Sequence, residues 1–132
     1  SIQLVNFGEA NAEIDLLMEN AKKQWESVIV GDVPDITKEF LNLIGLKSLF
    51  FDRFPTDYIE AVDDIVIGYK FDQIDGEGNV AGVAGPTLRR PDTNLPIAAT
   101  MVFDIDDVDR LTAEGSFESV ILHEMGHSLG FV

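Results

Sequence analysis

Ile65-Val-Ile-Gly-Tyr-Lys-Phe71 is apolar or aromatic at all but two of its seven positions. A strand with one face in water alternates; one so continuously apolar needs cover on both faces and belongs in the middle of a sheet. That demand excludes an isolated hairpin and calls for helices beside the strands. The chain can meet it, because 132 residues suffice for one domain with its own core. There is no Cys, so no disulfide and no thiolate metal site can substitute for that core.

The remaining elements follow from periodicity. Ile2-Gln-Leu-Val-Asn-Phe7 alternates and reads as a first strand ended by Gly8. Ile14, Leu17, Met18, Ala21, Trp25 and Val28 recur at three- and four-residue steps, predicting an amphipathic helix from about Ala10 to Val28. Gly31-Asp-Val-Pro34 is a turn, and Asp35 or Thr37 caps a second predicted helix from Lys38 to about Phe50. The stretch from Arg53 to Asp64 reads as a connection with a short helical turn. Asp75-Gly-Glu-Gly-Asn79 is expected to close a hairpin from the Ile65–Phe71 strand onto Val80–Ala84, with a loop following from Gly85-Pro86 to Pro96. Ile97–Phe103 is a further strand, and Ser116 is the expected N-cap of a last helix from Phe117 to Leu129. The order of elements gives a single mixed α/β or α+β domain.

Charge narrows the partners. With 24 Asp and Glu against 9 Lys and Arg the net charge is −15, which opposes nucleic acid and anionic lipid surfaces. No apolar run approaches the roughly 18 residues of a membrane helix.

Both histidines lie in His123-Glu124-Met125-Gly126-His127. Residues four apart on a helix share a face, so both imidazoles can reach one ion while Glu124 points about a quarter-turn away. Zinc suits two neutral imidazoles and, in a catalytic site, keeps a position for water, whose pKa it lowers towards neutrality. A neighbouring carboxylate then serves as general base and afterwards as acid. Chance would place the pattern in roughly one such sequence in a thousand. Leu122, Met125 and Leu129 fall on the face opposite the histidines, available for burial, whereas Gly126 and Gly130 lie on the histidine side, where small residues admit a backbone or ligand.

Val120-Ile-Leu-His-Glu-Met-Gly-His-Ser-Leu-Gly-Phe131 is longer than the zinc motif and resembles the metzincin zinc peptidases, in which a glycine at the position of Gly130 turns the chain off the active-site helix. Phe131 after that glycine is similar to the leishmanolysin version. Trp25-Glu-Ser-Val-Ile-Val-Gly-Asp-Val-Pro34, Asp75-Gly76, Ala84-Gly85-Pro86 and Leu95-Pro96 through Met101-Val-Phe-Asp104 also resemble bacterial leishmanolysin-like proteins. The resemblance implies a metzincin N-terminal subdomain spanning residues 1–132. It would comprise a twisted, mostly parallel sheet with an antiparallel edge strand, a backing helix and the active-site zinc helix.

It further implies a zinc metalloendopeptidase with His123 and His127 as ligands, Glu124 as general base and acid, and a peptide or protein as substrate. The third zinc ligand, the methionine turn and the C-terminal subdomain are expected outside this chain, leaving the piece itself inactive. An extracellular or secreted location is implied in the same way. By position, Ile97–Phe103 would be the edge strand that pairs with substrate through Ala98, Ala99 and Thr100. The chain departs from leishmanolysin itself in lacking disulfides.

Two other functions fit the short motif, a non-catalytic binding module with an inherited zinc helix and a zinc hydrolase of non-peptide substrates. Asp104, Asp106, Asp107 and Asp109 read as a solvated acidic loop rather than a calcium site, and Asp75–Asn79 as a plain turn, because Pro86 stands where a calcium loop needs its bidentate Glu. Trp25 reads as core, and Arg89-Arg90 as an exposed loop pair.

Overall fold

The structure is a computed structural model that describes residues 1–8, 11–29, 31, 37, 62–72 and 82–131. The second predicted helix, nearly all of the connection after it and the Asp75–Asn79 turn lie outside them.

Among the described residues four strands form one mixed sheet: β1 (Ile2–Asn6), β2 (Ile65–Asp72), β3 (Gly82–Arg89) and β4 (Pro96–Asp104), in the order β1-β2-β4-β3. β1 and β4 both run parallel to β2, and β3 is antiparallel to β4. As its apolar run requires, β2 is interior, with Ile65 through Tyr69 buried.

Among the described residues three helices accompany the sheet: α1 (Ala12–Val28), α2 (Ile105–Glu114) and α3 (Phe117–Ser128). Asn11 caps α1, its side-chain oxygen accepting from the N–H groups of Glu13 and Ile14 at 3.1 and 3.2 Å. Alternation along the strands sends Ile65, Ile67, Tyr69, Ala99, Met101 and Phe103 to one face. There they join Ile14, Met18 and Ala21 of α1 and Phe117, Ile121 and Met125 of α3 in one buried cluster. α3 therefore lies on the sheet with Phe117, Ile121 and Met125 held by packing.

Several expectations are corrected. β3 does not form a hairpin with β2. Its partner is β4, to which it is joined by the short connection 90–95, while β4 occupies the edge of β2 that a hairpin would need. Ile97–Phe103 is accordingly not the edge strand. Ala98, Ala99 and Thr100 pair with Val66, Ile67 and Gly68 on one side and with Leu88, Pro86 and Gly85 on the other, so their backbone cannot add a substrate strand. Ala98 and Ala99 are fully buried, and their small size fits a crowded interior strand.

The stretch Gly85–Arg89 is not loop but the second half of β3. Pro86 is tolerated because it sits on an edge strand, beside a register shift between Pro86 and Leu88. Arg90 is buried at 5 % exposure, and its guanidinium donates to the carbonyl of Asp64 at 2.9 Å. The acidic run after β4 is helical: Asp104 caps α2 by accepting from the N–H of Asp106 at 3.0 Å. Gly115, left-handed at φ 73°, ends α2, and the N–H of Ser116 closes onto the carbonyl of Leu111 at 2.9 Å. Ser116 does occupy the N-cap position of α3, but its hydroxyl makes no capping bond.

Candidate metal centre

His123 and His127 are one turn apart on α3, with His123 exposed and His127 half-buried. Their Nε2 atoms converge to 3.0 Å, and the rings meet edge to face with centroids 4.6 Å apart. Two nitrogens at zinc-binding distance on a tetrahedral ion stand about 3.3 Å from each other, so this pair fits one ion with a small opening.

The far side of His127 is held as well. Its Nδ1 lies 3.1 Å from the carbonyl oxygen of Phe131. A carbonyl only accepts, so Nδ1 is the donor in this contact, and the neutral tautomer that it selects is the one with Nε2 unprotonated towards the shared point. Metal-binding imidazoles are commonly fixed in this way through the second ring nitrogen.

The carbonyl reaches His127 because of how α3 ends. Gly130, left-handed at φ 97°, turns the chain back, and the N–H of Phe131 bonds to the carbonyl of Gly126 at 3.0 Å. A second contact comes from α1: the Trp25 ring stacks on Phe131 with centroids 5.4 Å apart and planes 14° from parallel. Its indole N–H donates to the carbonyl of Leu122 at 3.0 Å. Gly126 serves this packing. A Cβ there would stand 2.9 Å from Cζ2 of Trp25, so the group approaching Gly126 is the indole and not a ligand.

Glu124 is buried at 9 % exposure, on the side of α3 that faces β3. Gly82 of β3 covers it so closely that a Cβ there would stand 3.2 Å from Cγ of Glu124. Burial pushes the carboxyl of Glu124 above its ordinary range, and the fields of His123 and His127 oppose that rise. A carboxylate with a raised pKa is a better proton acceptor near neutrality.

The structure thus brings His123 and His127 together on α3, turns Glu124 of the same helix towards Gly82 of β3, and places Ala98, Ala99 and Thr100 in the sheet interior. A cavity of about 400 Å³ beside the helix exit is walled by Ile29, Ile65, Leu95, Pro96, Leu129 and Phe131 but by neither histidine. Among the described residues no third His, Cys, Asp or Glu joins the pair. The contributions of Gly82 and of the Phe131 carbonyl have no counterpart in the motif, because one comes from a strand 41 residues away and the other from a backbone atom. Trp25 reads as core in the sequence, with no sign there of its contact with the end of α3. No protein-family model, no curated protein and no solved structure matches the chain.

Proposed function

We propose that this chain is the zinc-helix half of a metalloendopeptidase of the metzincin type, similar to leishmanolysin. His123 and His127 hold zinc together with a third ligand supplied from outside the chain. The observation that carries this reading is the convergence of the two Nε2 atoms at 3.0 Å, with His127 fixed in the metal-binding tautomer by the Phe131 carbonyl. Zinc, when bound, supplies Lewis acidity that makes water a nucleophile near neutral pH and polarises a carbonyl. Glu124 takes the proton of the attacking water and delivers it to the departing amide nitrogen, and its burial favours the first transfer by raising its proton affinity.

The substrate peptide lies along the outer edge of β3 by strand addition. This assignment replaces Ala98–Thr100 with the strand that is at the sheet edge and whose Gly82 covers Glu124. Backbone pairing gives affinity with little demand on the peptide's side chains. On this reading the third ligand and the other wall of the cleft come from outside residues 1–132, and the protein works outside the cell.

The test is a polypeptide continued beyond Val132 through the next histidine. It is expected to hold one zinc, to cleave members of a peptide library and to lose turnover, but not zinc, on Glu124→Gln. Stoichiometric zinc with no peptide cleavage would favour the binding module, and hydrolysis confined to non-peptide esters or amides would favour the other hydrolase.

A further inference from the structure

We infer that Trp25 of the backing helix is a positioning residue for the metal ligand His127, acting through the backbone turn that ends the zinc helix. The inference rests on the zinc reading above for its consequence, and on contacts within the chain for its mechanism.

Trp25 touches the end of α3 at three points. Its indole N–H bonds to the Leu122 carbonyl at 3.0 Å, its ring lies against Gly126, and its face stacks on Phe131 at 5.4 Å. Phe131 in turn is the residue whose carbonyl fixes Nδ1 of His127, at 3.1 Å. Phe131 as a residue is 53 % exposed. An exposed ring just past a helix end has little burial to hold it, and stacking on an anchored indole supplies the missing restraint.

Each part has a distinct task. The bond to Leu122 sets the height of the indole along α3, and the absence of a side chain at Gly126 lets the ring lie flat on the helix. The stacked Phe131 is then fixed, and its carbonyl is aimed back at the imidazole. Without Trp25 the turn after Gly130 is held only by its backbone bonds to α3, from the Phe131 N–H to the Gly126 carbonyl and from the Gly130 N–H to the His127 carbonyl. The acceptor that selects the metal-binding tautomer of His127 is then less firmly aimed.

Linkage makes the relation reciprocal: a clamp that favours the zinc-competent His127 must itself be favoured by zinc. Trp25 is the chain's single tryptophan, so its indole N–H gives one unambiguous signal.

The experiment compares the unaltered chain with Trp25→Ala and Trp25→Phe by ¹⁵N spectra of the histidine rings and by zinc titration, after circular dichroism has shown which variants fold. In the metal-free unaltered chain His127 is expected as the Nδ1–H tautomer. Trp25→Ala is expected to mix the tautomers and to weaken zinc about tenfold, the lower end of what loss of a ligand's outer support costs. Trp25→Phe restores a ring against Phe131 and is expected to recover most of that loss. In the unaltered chain, saturating zinc is expected to slow hydrogen exchange at the Trp25 indole.

A folded Trp25→Ala with the parent's tautomer and zinc affinity overturns the inference. Should that variant not fold, indole exchange that is indifferent to zinc overturns it. If the unaltered chain binds no zinc at its histidines, the metal reading fails, and the tautomer comparison in metal-free protein still decides the role of Trp25.

Discussion

Gly82 and Glu124 face each other across the α3–β3 junction so closely that a methyl group on the glycine would fit only if its neighbours gave way by a few tenths of an ångström. A Cβ at Gly82 would meet Cγ of Glu124 at 3.2 Å and the fully buried ring of Phe103 at 3.1 Å. Phe103 packs edge to face against Phe117 and is fully buried, so its neighbours oppose the shift. Gly82→Ala is therefore expected to destabilise the fold by about 1–3 kcal/mol, the usual cost of overpacking. It is also expected to displace the Glu124 carboxylate. Chemical denaturation measures the first effect. An unchanged midpoint would mean that β3 moves freely over α3.

Metal binding should be weak and should depend on both histidines. Two imidazoles supply half of a tetrahedral shell, so the chain is expected to purify mostly metal-free and to take up zinc reversibly. His123→Ala and His127→Ala should each abolish the uptake seen by titration. One zinc per chain surviving dialysis against chelator would require a further ligand within residues 1–132.

In an active polypeptide continued beyond Val132, Glu124→Gln should lower kcat by about 10²–10⁴, the usual contribution of a positioned general base, while zinc content stays the same. Retention of most of the rate would remove Glu124 from the mechanism.

Ala99→Pro tests the position of β4. Because Ala99 pairs with Ile67 on one side and Pro86 on the other, proline there breaks the sheet interior. The expected loss is about 3 kcal/mol or more, enough to unfold a marginally stable domain. A folded variant with altered substrate affinity would instead restore this strand to the substrate edge.

Tyr69 links folding to alkaline pH. Its hydroxyl donates to Oδ1 of Asp15 at 2.8 Å, and burial together with this carboxylate raises its pKa well above the ordinary tyrosine value. The folded pKa exceeds the unfolded one, so the stabilisation is complete below about pH 10 and declines as the unfolded chain ionises above it. Tyr69→Phe should cost about 1–2 kcal/mol at neutral pH for the lost hydrogen bond. Above pH 10 the parent should lose its advantage by about 1.4 kcal/mol per pH unit. Urea denaturation of both proteins at pH 7, 10 and 11 measures the gap, and a gap constant with pH would contradict the linkage.

What the sequence determined by itself was local. The apolar run of β2, the stepped apolar residues of α1 and the spacing of His123 and His127 each express a period of one strand or helix, and such periods survive whatever packs around them. They establish an interior strand, a backing helix and two imidazoles on one helical face. The tertiary structure decided which strand is the edge, what covers Glu124 and what orients His127. β4 and β3 exchanged their expected roles because small apolar residues suit an interior strand as well as an open edge, and only pairing on both sides of Ala99 distinguishes the two. Asp104–Asp109 became a cap and a helix because a cluster of carboxylates carries no period of its own. The hold on His127 passes through a stacked indole and a carbonyl oxygen, and the backbone atom that completes it has no letter in the sequence.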